Sequence, residues 1–376
     1  MKRIVFIAKT NLNNDGRILN QIKFLQNHFK EKLDLHFLLL PDRPYFENLG
    51  TGVKIHDLNT SFRNSRFLRI FTVLEFTQKA IRRIIQLKPS VIHVQDMTVV
   101  LPVYLYKKCF GNRVTVIYDD HEMPNENESL QYRLFQFFER RLMQVADFVI
   151  YANQERREIL DKELGIANSS YFLNLPYYDD QRIEVDEKID PIFQSKLDQL
   201  IKLKKDGVNI IVHQGLLEVE RGREKLANFS KLDFPKTKIV VIGITELDFN
   251  LFIQQYNLDY SNFYFVGSVP YKILREFWKL ADAAIIMYLP TYINNRLCAP
   301  NRYFIALELG IPTIVNIDNP VLSSFTEKYK SGFYIEDIVV KKDIDRVISH
   351  SYSIDTLNKL KEKELIKFGA IYEKFI

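Results

Sequence analysis

Asp119, Asp120, His121 and Glu122 come directly after the apolar run Val116–Tyr118. A histidine set among carboxylates suits general acid/base work, or a hydrogen bond that orients a hydroxyl. A loop histidine capping backbone groups is the plainer alternative. Gln95 and Asp96 follow Val91–Val94 in the same way. Polar groups thus cluster where strands end, the functional edge of an open α/β sheet. His93, inside its apolar run, reads as structural; His213, inside a run but beside a turn, reads either way.

Arg221 and Arg302 each stand where a helix is predicted to begin. A cation there opposes the helix dipole by about 0.3–1 kcal/mol. An anion bridging the guanidinium and the free backbone N–H groups reverses that cost, which makes phosphate the natural ligand. A solvated surface arginine is the alternative. Gly215 and Gly222 either let the backbone approach a diphosphate closely or simply form turns. No G-x-G-x-x-G, P-loop, H-E-x-x-H or G-x-S-x-G motif occurs, which weakens dehydrogenase, P-loop, zinc-protease and serine-hydrolase readings.

The elements that must carry these residues alternate. Apolar strand candidates at 3–8, 33–40, 91–94, 113–118, 147–151 and 171–173 are separated by helical periodicity at 18–29, 67–87, 99–108, 130–144 and 155–163. A second series has strands at 208–214, 238–242, 263–266, 283–287 and 313–316. Its helices fall at 223–229, 248–255, 273–280, 302–309 and 343–349. Such alternation with nearly all-apolar strands predicts parallel sheets covered on both faces. The charged stretch at 178–206 is the expected domain junction. The expected architecture is thus α/β: a Rossmann-like domain over 1–180, a second over 206–353, and a helix over 354–376 returning toward the first. The two doubly wound domains would face each other across a cleft, with ligands at the carboxyl ends of the strands. VADFVIYAN (145–153) and LADAAIIMYLP (280–290) repeat one local pattern, a helix end running through Ala-Asp into a strand.

Length and composition agree. The 376 residues suit two domains, with 47% hydrophobic and 26% charged residues. A net charge of +5 is compatible with anionic substrates or a membrane surface and too weak to argue for nucleic acid. Two cysteines exclude a disulfide framework and a cysteine-rich zinc site. The opening MKRIVFIAKT reads as a strand rather than a signal peptide. Residues 62–88 and 132–141 are basic and aromatic at helical spacing. Each could lie on an anionic membrane face, although packing on the sheet is the plainer reading.

In order and spacing these segments resemble the GT-B glycosyltransferases of the large retaining group (group 1, family-four-like) that includes many bacterial lipopolysaccharide and capsule enzymes. DGRILNQIKFL (15–25), VIHVQD (91–96), VIYDDHE (116–122), ADFVIYAN (146–153) and NLPYYD (174–179) carry the resemblance in the first half. HQGLLEVERG (213–222), FVGSVPYKILREFWKLADAAIIMYLP (265–290) and CAPNRYFIALELGIPTIV (298–315) carry it in the second.

The resemblance implies transfer of a sugar, with retention, from a UDP- or GDP-sugar to a saccharide or lipid-linked acceptor. It implies no obligatory cofactor or metal, and a cytoplasmic enzyme of surface-polysaccharide synthesis, with peripheral contact to the inner membrane face as an option. It places the catalytic groups at His121, Asp96 and Glu122. Donor contacts would be Gly215, Arg221, Gly222, Pro300, Asn301, Arg302 and Glu308, and acceptor contacts Asp15, Arg17 and Asp120.

One position departs from the pattern. Where the family carries a Glu for the donor ribose, this chain has Ile305, and Glu308 one turn on is the candidate substitute. A non-catalytic GT-B protein with a degenerate donor site and a nucleotide-sugar epimerase are the alternatives, and an Ile305→Glu variant that gains nucleotide affinity would speak for degeneration.

Overall fold

The computed structural model describes residues 1–12, 14–41, 52–62, 68–123, 130–176, 189–232 and 234–376. Parts of the predicted junction and of the basic segment at 62–88 lie outside these residues. The chain divides into two compact units, Met1–Leu173 with Lys363–Ile376, and Asn174–Glu362.

Unit 1 is built on seven strands: β1 (Lys2–Thr10), β2 (Leu33–Pro41), β3 (Val53–Asp57), β4 (Val91–Gln95), β5 (Thr115–Asp120), β6 (Phe148–Tyr151) and β7 (Ser169–Tyr171). Their order is β3-β2-β1-β4-β5-β6-β7, and every neighbouring pair is parallel. Helices cover the sheet, so the central strands are buried on both faces and read as continuous apolar runs. Strand order reverses between β1 and β4, which puts the carboxyl ends Thr10 and Gln95 at the switch point where open α/β sheets bind ligands.

Unit 2 repeats the plan with β8 (Asn209–Gln214), β9 (Thr237–Ile242), β10 (Phe263–Gly267), β11 (Ala283–Ile286), β12 (Thr313–Val315) and β13 (Gly332–Tyr334). The order is β10-β9-β8-β11-β12-β13, again all parallel. Its switch point lies between β8 and β11. A core of fully buried residues such as Ile211, Val241, Phe249 and Ile285 fixes the sheet against its helices.

The repeated Ala-Asp pattern has a physical cause. Asp147 accepts from the backbone N–H of Val116 (2.7 Å) and from Lys107 Nζ (2.7 Å), tying the start of β6 to β5. Asp282 accepts from the N–H of Ile210 (2.8 Å) and from Lys204 Nζ (2.5 Å), tying the start of β11 to β8. One device thus anchors an incoming strand in both units.

Several elements depart from expectation, among them the helices Ile293–Arg296 and Pro320–Tyr329, for which no helix was expected. The short edge strands β3 and β13 were not predicted, and Pro191–Lys205, inside the predicted junction, is a helix of unit 2. Asp190 caps that helix by accepting from the Ile192 N–H (2.8 Å), and Pro191 fits its first turn. The last helix, Asp355–Glu373, ends inside unit 1. There Phe368 stacks on Phe172 (4.4 Å), and Glu364 accepts from the Leu173 N–H (3.0 Å). Among the described residues no helix is long and apolar enough to cross a membrane.

Candidate active site

At the switch point of unit 1 the structure assembles His121 on a buried carboxylate, and that carboxylate is Asp119. His121 Nε2 lies 3.4 Å from Asp119 Oδ2 and 2.5 Å from Gln95 Oε1. Arg17 donates to Asp119 from Nη2 (2.6 Å) and Nε (3.2 Å), and Gln21 Nε2 donates to Oδ2 (2.6 Å). Burial pushes the Asp119 carboxyl up, but Arg17 and His121 outweigh it and hold Asp119 well below the usual carboxylate range. Burial works against a charge on His121, yet the Asp119 carboxylate raises its pKa above the ordinary imidazole value. The result is a half-buried imidazole backed by a fixed negative charge, the arrangement a proton-handling histidine needs.

The other face of β5 is different. Tyr118 donates its hydroxyl to Glu139, and both are buried. Asp120, also buried, is pushed up to about 7, by burial first and then by the nearby Asp96 charge, with Arg156 opposing. Asp96 has the left-handed backbone φ of 68° and accepts from the Met97 N–H (2.8 Å). Its carboxyl is raised by burial and by Glu122. A non-glycine residue held in that conformation at a strand's carboxyl end is strained backbone at a candidate site.

In unit 2 two arginines meet one ring. The Arg221 guanidinium lies 3.7 Å, and that of Arg302 4.8 Å, from the centre of the Tyr288 ring, just beyond β11. Asn316 fixes the Tyr288 backbone from both sides, accepting from its N–H (2.9 Å) and donating to its carbonyl (3.0 Å). Arg302, in the first turn of the helix Asn301–Glu308, donates to the carbonyls of Gln214 and Met287 (3.3 Å to the latter) and so links the ends of β8 and β11 across the switch point. Burial lowers its pKa to about 10, still cationic at neutral pH. His213, buried beside it, is lowered to about 3 by burial and by the Arg302 charge and is neutral.

Several sequence candidates take other jobs. Arg17 is buried, its donors spent on Asp119 and on the Phe172 carbonyl (2.9 Å), so it positions Asp119 rather than gripping an acceptor. Asp15 accepts from Thr10 Oγ1 (2.6 Å) and the Ile18 N–H (3.2 Å), capping the helix Gly16–Phe29. Asp120 sits on the face of β5 away from His121's partners.

The bare α-carbon of Gly215, at φ 118°, faces Arg302, and that of Gly222, at φ 71°, faces Met287. The room at both glycines is taken up by protein side chains. Asn301 donates to the Asn174 carbonyl (2.8 Å) and accepts from Tyr271 (3.1 Å), and Pro300 precedes its helix as the N-cap residue. Glu308, at the far end of that helix from Arg302, pairs with Lys361 (2.7 Å), and Ile305 is fully buried. Glu122 is exposed beside His121.

Asp119 and Gln95 stand out in the sequence only as strand-end residues without a role, and Gln21 and Tyr288 do not stand out at all. Strand alternation carried a signal for the first two. Asp119 and His121 are two residues apart, and Gln95 pairs with Asp119 in register, so all three share one face. Among the described residues no group of three or more His, Cys, Asp or Glu could hold a metal ion.

No family model matches the chain, and no curated protein does. Solved structures do. A sucrose-phosphate synthase from Thermosynechococcus elongatus superposes with a TM-score of 0.70 at 12% identity, over 100% of this chain and 99% of that one. The lipopolysaccharide outer core galactosyltransferase WaaB gives 0.62 at 14% identity, over 99% of each chain. HepE of Anabaena, solved in complex with UDP-glucose, gives 0.60 at 13% identity, over 98% of this chain and 100% of that one.

The chain has the GT-B fold. In GT-B terms unit 1 is the N-terminal Rossmann-like domain, bearing the His121–Asp119 pair, and unit 2 is the C-terminal one, bearing the Arg221–Tyr288–Arg302 cluster.

Proposed function

We propose that this protein is a glycosyltransferase that moves a sugar from a nucleoside-diphosphate donor to a saccharide or lipid-linked acceptor, with retention at the anomeric carbon. The observation that carries the reading is the His121–Asp119 pair at the switch point of unit 1. The two arginines on Tyr288 beside the switch point of unit 2 stand with it.

The bond from the anomeric carbon to the diphosphate breaks, the leaving group gains charge, and the acceptor hydroxyl loses a proton. Arg221, carried by the Tyr288 ring, supplies positive charge to the diphosphate. Arg302 holds the strand ends that shape the same place. His121 hydrogen-bonds a hydroxyl of the sugar or acceptor and handles its proton, with Asp119 stabilising the imidazolium. Similarity to HepE, solved with UDP-glucose, favours a UDP-sugar.

A non-catalytic role is the second reading, and Ile305 is what favours it. The carboxylate expected for the ribose is absent there, and Glu308 is engaged by Lys361. The His121 site weighs against it, because this histidine, unlike the buried His93, is part-exposed at the switch point where a ligand would sit. We further propose that the exposed faces of the helices Arg69–Leu87 and Leu130–Val145 rest on an anionic membrane surface.

Calorimetric titration with UDP and GDP, followed by donor-sugar turnover with and without His121→Ala, tests the enzyme reading. Binding of one nucleotide and a loss of turnover of about 10²-fold or more on His121→Ala are expected. No nucleotide binding and no turnover would sink it.

A further inference from the structure

We propose that Gln21 and Gln95 form a relay that sets the tautomer of His121, putting its proton on Nε2 and leaving Nδ1 as the working nitrogen. The role given to Nδ1 rests on the transferase reading above; the relay itself does not.

Every orientation follows from one carboxylate. Asp119 is fully buried and ionised, so it offers only acceptors. The end of Gln21 that lies 2.6 Å from Asp119 Oδ2 must therefore be the NH2, and its Oε1 must accept at the other end. Facing that oxygen at 2.8 Å is the amide of Gln95, whose near atom must be nitrogen. Gln95 Oε1 is left to meet His121 Nε2 at 2.5 Å. Two acceptors cannot share a hydrogen bond, so Nε2 carries a proton.

The second hydrogen of the Gln95 NH2 points to His93 Nε2 (3.2 Å). That nitrogen also lies 3.6 Å from Asp119 Oδ2; the Gln95 NH2 is the nearer partner and takes its lone pair, which leaves Nδ1 to donate to the Tyr372 hydroxyl. Asp119 Oδ2, 3.4 Å from His121 Nε2, acts in the same sense. Flipping either amide would set donor against donor or acceptor against acceptor, in a place where Gln21, Gln95 and His93 are all buried.

The charged groups around the ring are Asp119 and Asp120 on β5, Arg17 on the helix Gly16–Phe29, Asp96 beyond β4 and the adjoining Glu122. With Nε2 committed, the neutral imidazole has its lone pair on Nδ1. A hydroxyl proton passes to Nδ1, and the imidazolium keeps its Nε2–H on Gln95 and Asp119. Gln95 and Gln21 are thus positioning residues.

NMR of the full chain with 15N-labelled histidine tests this directly. Neutral His121 is expected to carry its proton on Nε2. Gln21→Met, whose side chain acts on the ring only through Gln95 and Asp119, is expected to shift the Nε2 resonance. Gln95→Met is expected to shift it further, the double variant no further still, and Gln95→Glu, which keeps an acceptor, to retain the tautomer. Turnover in Gln95→Met is expected to fall at least about tenfold with KM for the nucleotide sugar unchanged. A proton on Nδ1 in the unaltered protein, or a His121 signal indifferent to Gln21→Met, overturns the relay whether or not the chain transfers a sugar. An intact signature without transfer overturns the transferase reading and leaves the relay standing.

Discussion

At the scale of single residues, Asp119 shares its surroundings with Arg17, Gln21 and His121, whereas Asp120, one position on, shares its surroundings with Asp96 and Glu139. Their pKa values move apart accordingly, and so do their effects on stability. Asp119, held low, contributes stability above the ordinary carboxylate range that is lost as pH falls. Asp120, raised to about 7, keeps its proton in the folded state after the unfolded chain has released it. The native state then binds more protons between about pH 4 and 7, so stability falls as pH rises through that window. Asp120→Asn should therefore gain more over the unaltered protein at pH 8 than at pH 5, by on the order of 2 kcal/mol in denaturant unfolding. Equal gains at both pH values would contradict the raised carboxyl. Gly215 supports a second expectation. Its φ of 118° and the Arg302 guanidinium facing its α-carbon leave no place for a methyl group. Gly215→Ala should cost about 2–4 kcal/mol and weaken nucleotide binding with it, because the same guanidinium joins β8 to β11.

At the scale of elements, the helix Asn301–Glu308 turns Ile305 wholly into the core of unit 2. Ile305→Glu would bury a charge there, so it should destabilise by about 3–5 kcal/mol rather than restore a ribose contact, and thermal unfolding reads this directly. A variant as stable as the original would mean that the position is not core. The sequence-level test for a degenerate donor site fails for that reason.

The central strands were legible because burial on both faces makes them apolar throughout. The edge strands β3 and β13 are half-exposed and short, and their residues VKIHD and GFY carry no such run. The helix Pro191–Lys205 was masked by its charge, since most of its surface faces solvent. In the site, the motif DDHE was legible at a strand's carboxyl end, but which of its carboxylates faces His121 depends on the pleat, which gives it Asp119. Arg17 and Glu308 were legible as charged residues near motifs. Their partners, Asp119 and Lys361, lie 102 and 53 positions away, and no local spacing reveals them.

At the scale of the whole molecule, the helices Arg69–Leu87 and Leu130–Val145 both pack against Val100–Phe110. Together they expose Ile70, Phe71, Leu74, Leu105, Leu134 and Phe137. Arg82, Lys108, Arg133 and Arg141 lie exposed along the same helices, and Arg141 stands 5.4 Å over the Phe137 ring. Apolar side chains flanked by cations fit an anionic bilayer surface. Vesicles containing anionic lipid should pellet the protein, vesicles of neutral lipid should not, and Phe71→Glu with Phe137→Glu should lower the bound fraction about tenfold or more. Pelleting that ignores both lipid charge and these substitutions would remove the surface from consideration.

The return of the last helix to unit 1 also has a consequence in time. On the ribosome the strands around His93 emerge early, but Tyr372, which His93 bonds, and Phe368, which stacks on Phe172, emerge only after all of residues 174–362. At ordinary rates of synthesis that interval is roughly 10–40 s. Unit 2 is one continuous stretch and possesses all its residues before unit 1 does. The half of the molecule begun first is therefore completed after the other, and the histidine site waits on residues that follow the whole of unit 2.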